Sequence, residues 1–377
     1  MNRVLASLEG YFLKDYFVTY KEPFRKDMKR LLLERILLSC FVRINAERTP
    51  SSIYYLLKGK RSVQTLQDAH IYKLEAFYGI YKTITKQQFD NKVKELINIG
   101  MLENNLELEK GCMVSKSAKK WLHEQSQLLE YNGLKYYEKS DVFIERFLLL
   151  IQTLTNTKMI NYAFIPVIDN PKVESWVRNI YMNVKGRETQ VLKGIYNEIR
   201  EVLQKFPELE ASIFVDRLTG YKNYGLSLPQ LSEKYNLNEH DIQLSIVQIL
   251  HRVIWRIEQE KQKYPYLSSF INDIESEIQL THSANETYQL IMKGFQVDAI
   301  AQMRNLKKNT IYDHIVEIAL HYGDFVIDEY VTNQEQQDIL YAINQTNAYK
   351  LKDIKQNVSD HISYFQIRLV LAKQNRL

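Results

Sequence analysis

The stretch "LLKGKRSVQTLQDAH", residues 56–70, holds the one run in the chain with the look of a phosphate-binding loop, Gly59-Lys60-Arg61-Ser62. A nucleotide-hydrolysing loop has the form G-x-x-x-x-G-K-[ST], because its glycine amides wrap the phosphates and its hydroxyl holds magnesium. Here Arg61 stands where that hydroxyl belongs, Tyr54 occupies the position of the first glycine, and a helical pattern precedes the loop where a strand is required. No other GK[ST] occurs, so ATP hydrolysis by this route is not expected. Neither G-x-S-x-G nor H-E-x-x-H is present, the eight histidines are scattered, and paired carboxylates such as Asp328-Glu329 suit a polar helix face. Cys40 and Cys112 are the only cysteines and do not form a C-x-x-C pair, so free thiols are expected and no metal site or cofactor is indicated. The chain reads as non-enzymatic.

Binding chemistry is the better match. Lys58, Lys60 and Arg61 cluster where Ser62 can open a helix, and free amides at a helix start add to the attraction for phosphate. Lys116, Lys119 and Lys120 form a second basic group. A third set, Lys307, Lys308, Asn309, Thr310 and His314, falls at the start of a helix placed to read DNA. Tyr54, Tyr55, Tyr78, Tyr81 and Trp121 could stack on bases, although core packing accounts equally for tyrosines in a chain that has 26 of them. Solvated surface lysines would give the same basic groups.

The elements that must carry these residues are helices. Over 27–45 the apolar positions Leu33, Ile36, Leu37, Cys40, Phe41 and Ile44 have helical spacing. Thr49 and Pro50 open a short helix that stops near Gly59, and Ser62 caps the next, to about Leu74. Thr85 caps a helix ending at Gly100. The run "MLENNLELEKGCMVS" then reads as a β-hairpin, and Ser115 starts a further helix. Helices, a hairpin and a closing helix follow the order of a winged helix. Residues 287–323 carry a helix-turn-helix pattern, with Leu290, Val297, Ile300, Ala301, Leu306, Ile311 and Ile315 in the apolar places and Asn309 or Thr310 as the second cap. A weaker version spans 225–255 through Leu231, Leu237 and Ile242.

Charge supports the same division. Residues 1–125 carry 22 Lys+Arg against 14 Asp+Glu, the remaining 252 residues 28 against 31, and residues 281–377 alone 10 against 11. A basic first third suits a phosphate-contacting module, whereas a near-neutral tail weakens that electrostatic attraction and suits protein docking as well as DNA. The 12 glycines and 7 prolines argue against long linkers and an all-β fold. Apolar stretches fall short of the roughly 20 residues of a membrane span, and Glu9, Lys14 and Asp15 break up any signal-peptide segment, so a cytoplasmic, nucleoid-associated protein is expected.

From about Leu33 to Leu122 the sequence resembles the RQC winged-helix domain of RecQ-family helicases. The likeness rests on Lys58-Gly59, His70, Lys73-Leu74, Tyr78-Gly79-Ile80, the entry at Lys82 to Lys86, the run Leu96-Ile97-Asn98-Ile99-Gly100-Met101-Leu102, and the Ser115 to Leu122 helix. Ala69 departs from that family's glycine, and no helicase core or cysteine-rich zinc module accompanies the segment. The tail resembles the helix-turn-helix near the C-termini of some RecQ-like helicases, through Thr287, Gly294, Ile300-Ala301, Arg304, Thr310-Ile311 and His314. Both modules without a motor resemble the bacterial YpbB-like family. That resemblance implies a DNA-repair or replication-fork accessory of a RecQ-type helicase, with single-stranded-DNA-binding protein as a further implied partner.

The expected architecture is therefore mostly α. An N-terminal winged helix with a small β-hairpin wing occupies 1–125, a helical middle occupies 126–280 with a possible helix-turn-helix at 225–255, and a C-terminal helix-turn-helix domain occupies 281–377. The expected ligand is duplex or forked DNA. Two alternatives stand beside it: a sequence-specific transcription regulator reading DNA through 307–314, and an adaptor joining helicase and single-stranded-DNA-binding protein without touching DNA.

Overall fold

The computed structural model describes residues 31–104, 111–125, 129–274, 280–346 and 349–374. Among them are nineteen α-helices and one two-stranded sheet, so the chain is mostly helical. Contacts divide it into two compact units. One gathers Glu34–Leu128, Asn132–Lys135 and Glu277–Leu377; the other is built mainly from Tyr136–Ser276. The first, which joins the segment from Glu34 to the segment from Glu277, is called here the terminal unit, and the second, which also takes in residues 31–33 and Leu129–Tyr131, the middle unit.

In the terminal unit, α1 (Leu32–Ile44) buries every apolar position that its spacing marked, from Leu33 through Ile44. Helix α2 (Pro50–Lys58) has its proline in the first turn and ends at Gly59, which takes φ 68°. That left-handed turn lets Lys60 N–H donate to Tyr55 O at 2.9 Å, closing the helix end. Ser62 caps α3 (Val63–Ile71) by accepting from Thr65 N–H. This helix stops short of Leu74 because Lys73 turns to φ 54° and Leu74 N–H returns to Ala69 O at 2.7 Å.

Helix α4 (Lys86–Asn98) begins with a reciprocal capping box between Thr85 and Gln88. Strand β1 (Leu102–Asn104) pairs antiparallel with β2 (Cys112–Val114), with Leu102 opposite Val114; the hairpin tip expected between them lies outside the described residues. Ser115 caps α5 (Lys116–Glu124), and the short α6 (Gly133–Tyr136) follows.

The middle unit packs α7 (Lys139–Lys158), α8 (Pro171–Val184), α9 (Glu188–Leu203), α10 (Glu208–Asp216), α11 (Leu228–Tyr235), α12 (Glu239–Gln259) and α13 (Pro265–Ser269). Phe143, Phe147, Phe214 and Phe270 meet at its centre, at ring separations of 5.4–5.9 Å. Arg146 ties α7 to the far end of this segment through a two-pronged ion pair with Asp273, at 2.6 and 2.8 Å. The helix pair expected at 225–255 exists as α11 and α12, turned by Asn236 at φ 52° and capped by Asn238. Glu239 and Asp241 occupy the first turn of α12, so its start repels phosphate.

The terminal unit is completed by α14 (His282–Met292), α15 (Val297–Met303), α16 (Lys308–His321), α17 (Asn333–Thr346), α18 (Leu351–Gln356) and α19 (Tyr364–Lys373). Helices α14 to α16 form the helix-turn-helix, in which Asn305 at φ 49° turns the chain and Leu306 N–H donates to Ala301 O. Neither Asn309 nor Thr310 caps the second helix. The turn is complete at Leu306, so α16 starts two residues early with Lys307 at its cap position.

Candidate nucleic-acid interface

The turn between α2 and α3 is the clearest basic feature. Gly59 reverses the backbone, Lys60 and Arg61 stand exposed after it, and Lys58 and Ser62 are half-buried on either side. Ser62 has its hydroxyl committed to the cap, so its contribution is to fix the start of α3. The first turns of α2, α3, α4 and α5 contain no acidic residue, a feature shared with α6, α11, α13, α14 and α16, whereas α7, α8, α9, α10 and α12 all carry at least one. Four successive helix starts therefore carry no acidic side chain against their positive dipole ends, in the segment that is richest in lysine and arginine. Lys116, Lys119 and Lys120 line the outer face of α5, with Lys120 3.9 Å from Glu124. They form a group on a separate element from the α2–α3 turn.

Arg61 borders a surface depression with Leu280, Thr281, His282 and Asn285, which places the basic turn beside the start of α14. That helix start is already occupied by an anion. Glu317 of α16, 5% exposed, accepts from Thr281 N–H at 2.7 Å and from its hydroxyl at 3.1 Å. Arg61 thus contributes positive charge here and α14 contributes none.

The third candidate set divides. Lys307 and Asn309 are exposed, Thr310 is half-buried, and Lys308 pairs with Asp298 at 2.8 Å. His314 is only 7% exposed and cannot reach a base edge. It lies in the second turn of α16 on the face toward α14, where its Nδ1 is 2.8 Å from Thr287 Oγ1. Arg304 reaches the same hydroxyl and also donates to Ser283 O and Glu286. Burial, then the nearby Arg304 guanidinium, holds His314 below its ordinary pKa. Thr287, Arg304 and His314, three residues of the pattern that suggested the helix-turn-helix, thus meet in one buried polar cluster that locks its helices together.

The length of α16 is also covered. Tyr312 stacks on Phe365 of α19 at 4.0 Å, and Asp313 pairs with Arg368 of α19 at 2.6 Å. Gln67 of α3 exchanges bonds with Arg368, accepting from its Nε at 3.1 Å and donating to its carbonyl at 2.9 Å. Residues from His314 to Ala319 are buried without a break. A recognition helix contacts base edges with its N-terminal residues, and α16 leaves Lys307, Lys308 and Asn309 exposed there.

Of the five stacking candidates, Tyr78 and Tyr81 are buried, Tyr54 and Trp121 are half-buried, and Tyr55 is 39% exposed. Lys60 Nζ sits 4.1 Å above the Tyr55 ring. Lys86, at the start of α4, lies 5.4 Å from the Tyr54 ring centre. This grouping of two tyrosines with two lysines from different helices was not marked by spacing; adjacency of Tyr55 and Lys60 across Gly59 is the one local signal for it. Cys40 and Cys112 are both buried and not joined by a disulfide, and burial pushes the Cys40 thiol up to about 12.

Comparison with known proteins adds two findings. The model of a helix-turn-helix domain family matches residues 283–371, which fall on α14 to α19. The chain is also similar to Protein YpbB of Bacillus subtilis (strain 168), with 29% identity over 342 residues, covering 90% of this chain and 96% of that protein. No solved structure matches. No described helix is long and apolar enough to cross a membrane.

Proposed function

We propose that this chain is a non-catalytic DNA-binding protein that works beside a RecQ-type helicase in DNA repair or replication-fork maintenance. The observation that carries the DNA reading is the run of four helix starts without acidic residues, α2 to α5, around Lys58, Lys60 and Arg61. These lie in the same compact unit as the segment matched by the helix-turn-helix family. Helix order and hairpin position favour a winged-helix role for residues 34–124, in which helix starts hold backbone phosphates. Phosphate contacts position a protein on DNA and carry no sequence information, so affinity is expected to be largely indifferent to sequence. The helicase partnership rests on the sequence resemblance, as does a contact with single-stranded-DNA-binding protein.

A sequence-specific regulator reading DNA through 307–314 is disfavoured by the burial of His314 and by the cover that α19 lays over Tyr312 and Asp313. An adaptor without DNA contact remains the competing reading. The discriminating experiment pairs two measurements: binding of labelled duplexes of unrelated sequence and of forked DNA at low salt, and capture of partners by the tagged protein from its own cells. Sequence-indifferent binding with preference for forks, and recovery of a RecQ-type helicase, is the expected result. Helicase recovered without DNA binding would replace this reading with the adaptor.

A further inference from the structure

The tyrosine–lysine group on α2 and α4 shares Lys60 with the phosphate clamp, and its outermost ring, Tyr55, is 39% exposed. Phe89 is buried in α4, Tyr54 leans on it at 5.6 Å, and Tyr55 leans on Tyr54 at 5.4 Å. The partly exposed Tyr55 ring is thus braced from the core through two aromatic contacts, at interplanar angles of 58° and 57°. Lys60 lies over that ring, and Lys86 lies near Tyr54 and Phe89. Lys86 is also paired with Asp90 at 2.5 Å. A braced aromatic face beside ammonium groups is the arrangement that binds single-stranded nucleic acids, with bases stacking on rings while basic side chains follow the phosphates.

We propose that Tyr55 is a stacking platform for an unpaired nucleotide, and that Lys60 and Lys86 hold the phosphates flanking it. This rests on the DNA-binding reading above and names the part of a fork that it contacts: the single strand next to the duplex end. The ammonium of Lys60 covers the ring when no nucleotide is present. When a base stacks, that ammonium leaves the ring for the incoming phosphate. Its position one residue beyond Gly59 allows it to serve both sites without moving α2. The contact is blind to sequence, because every base offers a π face.

The test uses the full chain and two DNAs, a blunt duplex and the same duplex with a short overhang carrying 2-aminopurine beside the junction. Stacking quenches 2-aminopurine, so the wild type is expected to quench it and to bind the overhang duplex more tightly than the blunt one. Tyr55→Ala is expected to abolish the quenching and to lose roughly tenfold in overhang affinity, the scale of one base–aromatic stack. Its blunt-duplex affinity should be unchanged. Tyr55→Trp should restore both signals, which a merely unfolded variant would not. Equal affinity for both DNAs with unquenched probe would overturn the platform while leaving phosphate binding intact. Failure to bind either DNA would instead overturn the DNA reading on which the platform depends.

Discussion

Thr287 is fully buried at the centre of the helix-turn-helix, and replacing it by valine keeps its shape while deleting its hydroxyl. Arginine can only donate, so the Thr287 oxygen accepts from Arg304. The hydroxyl proton is then directed to His314 Nδ1, at 2.8 Å, which fixes a neutral imidazole with its proton on Nε2. Thr287→Val removes the nearest donor to the imidazole nitrogen, leaving it only Arg304 Nη1 at 3.4 Å, and takes an acceptor from one guanidinium N–H. No cavity forms, so the cost comes from hydrogen bonding alone. A buried polar group left unsatisfied costs about 1–3 kcal/mol, and the two together should destabilise the terminal unit by about 2–4 kcal/mol. In a unit of roughly 200 residues, each kcal/mol lowers the melting temperature by about 2–4 °C. Calorimetry should therefore show one transition falling by roughly 4–16 °C, with the transition of the middle unit in place. Thr287→Ser keeps the hydroxyl and should lose less than half as much. A valine variant as stable as wild type, or a serine variant worse than the valine, would refute the hydrogen-bonding account and leave packing as the cause.

Two further outcomes follow from single residues. Because His314 has its folded pKa depressed, the unfolded chain binds its proton more readily. Its stabilising share is complete above about pH 6.5 and is lost as pH falls below that value. Melting of the terminal unit should drop between pH 7.5 and 5.5, and His314→Gln should flatten that slope; an unchanged slope would remove His314 as its source. Gly59 holds φ 68°, where a β-carbon costs about 1–2 kcal/mol, so Gly59→Ala should lower the urea midpoint with little change in m. An alanine variant with wild-type stability would mean that the α2–α3 turn is made differently.

The parts of the fold that were legible in the sequence are those set by neighbours in the chain. Gly59 ends α2 and Ser62, Thr85 and Ser115 open the next helices, because each device needs only residues within one turn. The end of α3 was missed because Lys73 adopts a left-handed turn that a lysine does not advertise. The start of α16 was placed too late because Lys307 stands at the cap position without any side-chain bond.

Long-range packing decided the candidate site. His314 looked like a surface group at a helix start, and its true surroundings come from Thr287 on another helix. Cover over Tyr312 and Asp313 comes from α19, and Gln67 joins Arg368 across 301 positions of sequence. Helical periodicity marks a buried face but does not say which element covers it.

The phosphate clamp is tested most directly by the salt dependence of duplex binding in the wild type and in a variant with Lys58, Lys60 and Arg61 all replaced by alanine. Each phosphate contact contributes about 0.9 to the slope of log affinity against log salt. Removing three should flatten that slope by about 2–3 and weaken binding most at low salt. Parallel lines for the two proteins would contradict the clamp, and a wild type that binds no duplex at 50 mM salt would contradict the proposed function itself.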